Sequence, residues 1–354
     1  MIELKGVAKQ YLYGARVLGG TELSVADGEV VALLGDSGSG KTTLLKLIAG
    51  VTDCEGEVLI CGAPVSKRPD DVLMVFDDLA VFKNRTFYYN LAYPLKIRGV
   101  DKGETDRLVK SSAEIMGITA CLYEKVSKMP LIDVKRLAIA RLFIRDYKAL
   151  LIDDITAGLS REEADILWRE VAPIILKKAR EGVSVIYATS SRAEAISISD
   201  RIAVLHYGEL KQIAPAKIIY ENPSNIWAAE ALDAHYRFER ARIENKDGRL
   251  TLYIGSPDDE YALDGEVFRG KLAYGYENKP VFAGWHSDDF AEDGERREAV
   301  EYAIAEGDCY ILHTSSGVSV KNATKKDTVC TLPNVNKVKL FDYTNENDIL
   351  IGGL

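Results

Sequence analysis

The sequence predicts an α/β domain with a largely parallel central sheet, followed by a small all-β domain. Three observations predict it. Through about residue 232, short apolar runs alternate with helical patterns; beyond it, strand-like runs alternate with turns rich in Gly, Asp and Asn. The third is a glycine-rich GxxxxGK[ST] stretch between an apolar run and a helical pattern close to the start. The chain has 354 residues, enough for two domains.

The apolar runs at residues 29–34, 72–76, 149–152, 183–188 and 202–205 are β-branched or Leu-rich and lack polar alternation. Strands buried on both faces read that way. Helical patterns lie at 41–49, 86–97, 104–116, 133–145, 160–180 and 192–199. No convincing strand falls between about 83 and 147, which predicts a helical insert there. The first domain is placed at 1–234 and the second at 235–354. Strands are expected in the second at 249–254, 271–274, 280–283, 301–305, 308–313, 318–320 and 337–341, a spacing that suits a small barrel or sandwich.

Composition narrows the function. The hydrophobic fraction is 47%, the charged fraction 28% and the net charge −9, a globular balance. No apolar run approaches the roughly 18 residues that span a membrane, and the start lacks a basic-then-apolar leader pattern. Five scattered cysteines without a CxxC argue against a disulfide framework or zinc site and for a reducing compartment. From His235 onward 15 basic face 22 acidic residues, so the tail repels phosphate backbones and nucleic acid is not expected as a partner. Trp285 and His286 read as packed or rim side chains rather than ligand contacts.

Gly35-Asp36-Ser37-Gly38-Ser39-Gly40-Lys41-Thr42 matches the phosphate-binding loop with no mismatch. Glycines let the loop curl so that N–H groups point inward, and the following helix adds its positive N-terminal dipole. Lys41 is expected to bridge β- and γ-phosphates, Thr42 to hold Mg²⁺ and Thr43 to reach the α-phosphate. Such a loop needs an acid at a strand end to orient the metal. Asp153, closing the run Ala149-Leu150-Leu151-Ile152, supplies it, and Asp154 follows where a water-activating acid would stand.

With these residues in place the chain resembles an ATP-binding cassette (ABC) subunit of the sugar-importer type, over nearly its whole length. Lys135-Arg136-Leu137-Ala138-Ile139-Ala140-Arg141 is similar to the helix after the family signature, and Asp200-Arg201-Ile202-Ala203-Val204-Leu205 to a closing segment of importer cassettes. In the tail, Val281-Phe282-Ala283-Gly284-Trp285-His286-Ser287-Asp288-Asp289 loosely fits the GIRPED stretch of the transport-associated OB-like (TOBE) domain. The resemblance implies a P-loop NTPase cassette with a helical subdomain at about 83–147 and an OB-like regulatory or dimerisation domain. It also implies ATP and Mg²⁺ as ligands, a second cassette, two transmembrane permease subunits and, indirectly, an extracytoplasmic substrate-binding protein. The place of work would be peripheral, on the cytoplasmic face of the plasma membrane. The family's adenine-stacking aromatic falls on Tyr11, or on Tyr13 with a one-residue shift.

The departures fall at the reacting end. The family's lid-loop Gln becomes Asp77 in Val75-Phe76-Asp77-Asp78, and LSGGQ becomes Met129-Pro130-Leu131-Ile132-Asp133. Pro130 has no N–H to offer a partner's phosphate. The catalytic Glu becomes Asp154, the D-loop Asp becomes Ser160 and the switch His becomes Ser190, with no histidine before residue 206. Ground-state binding groups are kept while transition-state groups are lost. The expectation is a nucleotide-binding, weakly hydrolytic cassette paired with a competent second one, for a carbohydrate or polyol importer. The alternatives are an ATP-sensing regulatory protein without a channel, or a polyamine or ferric-ion importer cassette.

Overall fold

The computed structural model describes residues 1–256 except 12, 13, 15, 68, 234 and 235. Beyond these it describes 259–269, 276, 279–286, 289, 297–306, 309–314, 319–322, 328–330, 333, 337–342, 345, 347 and 348. The chain forms two compact units, Met1–Ala216 and Lys217–Leu354.

The first unit runs β1 (Ile2–Gln10), β2 (Arg16–Val25), β3 (Val30–Leu34), α1 (Lys41–Ile48), β4 (Glu55–Ile60), β5 (Ala63–Pro64) and β6 (Val72–Val75). It continues through α2 (Phe87–Ile97), α3 (Lys102–Ile115), α4 (Leu131–Ala140), β7 (Ala149–Asp153) and α5 (Arg161–Arg180). It closes with β8 (Ser184–Thr189), α6 (Arg192–Ile198), β9 (Arg201–His206) and β10 (Glu209–Ala214). The expected buried runs become a six-stranded sheet ordered β10-β9-β3-β8-β7-β6, parallel except for its β10 edge. Successive strand residues feed opposite cores: Leu150, Ile152, Val185 and Tyr187 face one cluster, and Leu151 and Ile186 the other. Between β6 and β7 there is no strand among the described residues, and α2, α3 and α4 fill the interval.

The expected helix at 133–145 is shorter. It runs Leu131–Ala140 and tightens into a 3₁₀ turn at Arg141–Phe143, where the Arg141 guanidinium leaves the helix to donate to Leu79 O and Ala80 O. A second sheet, β2-β1-β4-β5, is antiparallel and was not anticipated. Its strands are half exposed and β1 carries register shifts around Val7 and Ala8, so no continuous apolar run announces them.

Register positions the site. Leu34 pairs with Thr189 and Asp153 with Ala188, so the C-terminal ends of β3, β7 and β8 finish level with one another. Loops leaving a parallel sheet at that edge form the crevice where such folds bind ligands.

The second unit holds α7 (Ala216–Glu221), which begins at the unit boundary, and α8 (Ile226–Leu232). Then come β11 (Arg237–Lys246), β12 (Arg249–Ser256), β13 (Asp259–Asp264), β14 (Pro280–Trp285), β15 (Arg297–Glu306), β16 (Cys309–Thr314), β17 (Ser319–Asn322), β18 (Thr328–Cys330) and β19 (Lys339–Asp342). They make sheets ordered β13-β12-β11-β14-β19 and β17-β16-β15-β18, a β-sheet region consistent with an OB-like domain. The units divide at 216/217, whereas the sequence suggested 234/235. Ile226 and Ala229 of α8 pack with Tyr236 and Phe341, so α8 shares a core with the β-strands. The strand β11 was missed because RFERARIENK is mostly charged, with only Ala241 and Ile243 buried. The strand expected at 271–274 and residues 308 and 318 lie outside the described residues.

Candidate functional site

The loop between β3 and α1 is shaped by close approach. A Cβ on Gly35 would stand 2.2 Å from Leu205 O, and Gly40 has φ 108°, which side chains avoid. Ser39 O accepts from Gly208 N at 2.9 Å, seating the loop on the β9–β10 turn. Lys41 is 7% exposed, and its ammonium donates to Gly35 O at 2.6 Å and Asp36 O at 2.9 Å. Burial draws its pKa down, opposed by the charges of Asp154, Asp153 and Asp36.

A cavity of about 310 Å³ opens over this loop. Ser37, Gly38, Gly40, Lys41, Thr42 and Thr43 line one side; Asp77, Asp153, Asp154 and Ser190 line the other, with Val17 and Ala157 at the margins. Lys41 is the only basic side chain lining it among the described residues. A cleft of about 500 Å³ between residues 19–22 and 208–213 is larger but carries no phosphate loop, so chemistry rather than volume identifies the site.

Asp153 is 1% exposed and its Oδ2 is buried without a hydrogen-bond partner. Burial pushes its carboxyl up to about 6, with Asp77 and Asp154 adding to the rise while the Thr42 hydroxyl and Lys41 oppose it. A buried carboxylate oxygen with nothing to accept from, beside a threonine hydroxyl, fits a hard divalent cation.

Asp154 turns away from the strand with φ 40°, its N–H donating to Ala188 O at 2.9 Å. Its pKa rises through burial and the charge of Glu194, against Lys41, Lys135 and a contact from Ser190 Oγ at 3.5 Å. The predicted Asp154 and Ser190 thus meet. Asp77, which also lines the cavity, is exposed.

Three expected features lie elsewhere. The segment Met129-Pro130-Leu131-Ile132-Asp133 opens α4 and does not line the cavity. Pro130 caps α4 with no side-chain hydrogen bond, Leu131 is 43% exposed and Asp133 is held by Arg136 at 2.8 Å. Tyr11 is 44% exposed and off the cavity wall, with the Lys9 ammonium 5.4 Å from its ring; Tyr13 lies outside the described residues. Ser160 is a helix cap, accepting from Glu163 N while Glu163 Oε2 accepts from Ser160 N.

Two residues escaped the sequence reading. Glu194, 8% exposed, accepts from Thr156 Oγ1 at 2.7 Å, Tyr187 OH at 2.6 Å and Thr189 Oγ1 at 2.8 Å, bracing the segment after β7 against the end of β8. Lys135, 2% exposed on α4, has its pKa drawn down by burial and supported by the charges of Asp154, Asp77 and Glu194. The signal was there in part, since Lys135 sits one position after buried Val134 in an apolar helix.

A family profile described as ABC transporter matches residues 18–157. The chain is similar to the sulfoquinovosyl glycerol transport ATP-binding protein SmoE of Agrobacterium fabrum, 29% identical across 95% of this chain and 96% of that protein. It is also 32% identical to the sn-glycerol-3-phosphate import ATP-binding protein UgpC of Roseobacter denitrificans, across 72% of this chain and 74% of the relative. In fold it resembles a dimeric ATP-binding cassette in a post-hydrolysis state bound to ADP and Pi. The TM-score is 0.55 at 23% identity, over 61% of this chain and 98% of the other. Phosphate loop, strand-end Asp153, intervening helical segment and these likenesses agree: the chain belongs to the ATP-binding proteins of ABC transporters.

Proposed function

We propose that the chain is the nucleotide-binding subunit of an importer for a sugar or polyol derivative, binding ATP with Mg²⁺ but hydrolysing it weakly on its own. One observation carries the reading: a single cavity joins an intact phosphate loop and Asp153 to Asp77, Asp154 and Ser190. The importer class rests on SmoE and UgpC, whose names specify sulfoquinovosyl glycerol and sn-glycerol-3-phosphate.

In this reading the loop N–H groups and Lys41 hold the phosphate chain, and Thr42 and Asp153 hold the metal. Bound Mg²⁺ would neutralise charge on the β- and γ-phosphate oxygens. Asp154 stands where a base should polarise water, but its side chain is one methylene short, and displacement by about 1 Å costs on the order of 10²-fold. Ser190 offers a hydroxyl where the family places a cation, and Asp77 adds a negative charge. Segment 129–133 lies off this cavity, on the surface that would face a partner's nucleotide. Pro130 and Leu131 there give that partner no N–H cap.

These losses support pairing with a second, competent cassette beneath two permease subunits, peripheral to the cytoplasmic face of the membrane and served by an extracytoplasmic binding protein. No helix among the described residues is long and apolar enough to cross a membrane, in keeping with a peripheral subunit. The β-rich second unit is assigned as the TOBE regulatory or dimerisation domain.

The test is equilibrium ATP binding and phosphate release measured on one preparation of the full chain. Micromolar binding with negligible release is expected. Rapid turnover by the pure chain overturns the reading.

A further inference from the structure

His286 follows β14 directly, is 8% exposed, and has an acceptor at each ring nitrogen. Nδ1 lies 2.9 Å from Asp233 Oδ2, and Nε2 lies 2.7 Å from the Tyr220 carbonyl oxygen. A carbonyl only accepts, so Nε2 carries a proton. An ionised Asp233 also only accepts, so Nδ1 carries one too and the ring is an imidazolium. Shifting the Nδ1 proton to Asp233 leaves the count unchanged: the pair holds one proton more than a neutral ring beside a carboxylate.

The surroundings favour that extra proton. The ring stacks on Tyr220 with centroids 3.9 Å apart and meets the edge of Tyr236 at 4.7 Å. Asp289 lies across the turn, its Oδ2 3.4 Å from His286 N and its own N–H donating to His286 O at 3.0 Å. Burial alone would push the imidazole down. The Asp233 carboxylate and the Tyr220 carbonyl, aided by the charges of Asp233 and Asp289, more than reverse it, and the pKa is held above its ordinary value.

The contact joins separate elements. Tyr220 is on α7, Asp233 caps α8 and His286 is the residue after β14. The same segment is tied to the β-strands by Lys339 Nζ donating to Asn222 Oδ1 at 3.0 Å and by Asp348 N donating to Ser224 O at 2.8 Å. An ammonium, an amide and a backbone pair do not change charge near neutrality, so His286 is the group among these ties that titrates there.

We propose that His286 is a pH-sensitive latch, fastening the α7–α8 segment to the five-stranded sheet while the His286–Asp233 pair holds its extra proton and releasing it when that proton is lost. A pKa above the unfolded value of about 6.5 means the latch contributes fully below that pH and fades as pH rises through the native value. Once the proton leaves, one of the two contacts sets a lone pair against a lone pair.

The experiment uses the full chain. Nitrogen NMR on ¹⁵N-histidine protein, with His286 assigned from H286Q, reads ring protonation; amide exchange across 218–232, corrected for intrinsic chemistry, reads the fastening. A doubly protonated ring, or one proton shared with Asp233, is expected at pH 6.5. Exchange should speed up by as much as tenfold per pH unit between about 6.5 and the native pKa, then level off above it. H286R should hold a flat exchange profile, and H286Q should exchange fast at every pH. A neutral ring with an ionised Asp233 at pH 6.5, or wild type and H286R tracking each other throughout, overturns the proposal. Should H286Q fail to fold, D233N replaces it, and a wild-type-like exchange profile in D233N counts against the latch equally.

Discussion

The two walls of the cavity are built by different loops, and they have fared differently. The loop after β3 carries its full set of phosphate-binding groups, with Lys41 buried and anchored on Gly35 and Asp36. The loops after β6, β7 and β8 carry Asp77, Asp154 and Ser190, which gather three carboxylates with Asp153 and no cation of their own on the cavity surface. Holding a phosphate chain and attacking it are therefore assigned to separate segments of one sheet edge. Either can change without unfolding the other, because the strands beneath are fully buried on both faces.

The comparison can be broken most decisively by rebuilding the poorer wall. Restoring D77Q, D154E and S190H together with Leu-Ser-Gly-Gly-Gln across 129–133 is expected to raise phosphate release on the order of 10³-fold, with ATP affinity little changed. An unchanged rate would mean that the wall was never what limits turnover. On the intact wall, K41A should weaken ATP binding on the order of 10²-fold in calorimetry, since a charge-assisted contact to phosphate is lost.

A smaller effect probes the charge between the walls. Lys135 lies behind Asp77 and Asp154, so K135M should weaken ATP more than ADP, by about tenfold, and D77Q in the same chain should restore most of the loss. Equal losses for both nucleotides, without rescue, would reduce Lys135 to a packing role.

The smallest expected effect concerns Asp153. Its native pKa near 6 exceeds the ordinary carboxyl value, so ionising it costs stability. That cost is absent below about pH 4, grows as pH rises to about 6 and is flat above. Without metal, D153N should therefore be more stable than wild type at pH 7 by about 1–2 kcal/mol, an advantage that thermal melts should find shrinking in acid. The same variant should lose Mg²⁺-dependent nucleotide binding.

The sequence made the richer wall plain. Gly35 to Thr42 is contiguous, and Asp153 ends an apolar run, so spacing along the chain was enough. On the poorer wall Asp154 was legible beside Asp153, while Asp77 and Ser190 were legible only as substitutions against a resemblance. Glu194 was not read, and Lys135 only as part of a helix segment, because the role of a buried charge is set by the partners the fold brings to it: Thr156, Tyr187 and Thr189 for one, Asp77 and Asp154 for the other. The same holds for the fold. Strands buried on both faces stood out, while β1 and β2 were obscured by bulges and by the Gly19-Gly20 pair, and β11 by its charges.

Lys41 donates to two carbonyls of its own loop, and an ammonium carries three N–H donors. A phosphate oxygen can take the third without displacing either, so the gain is an anionic acceptor set beside two neutral ones. Affinity founded on such a charge is sensitive to ionic strength, and simple tetrahedral anions such as sulfate become natural competitors for the loop.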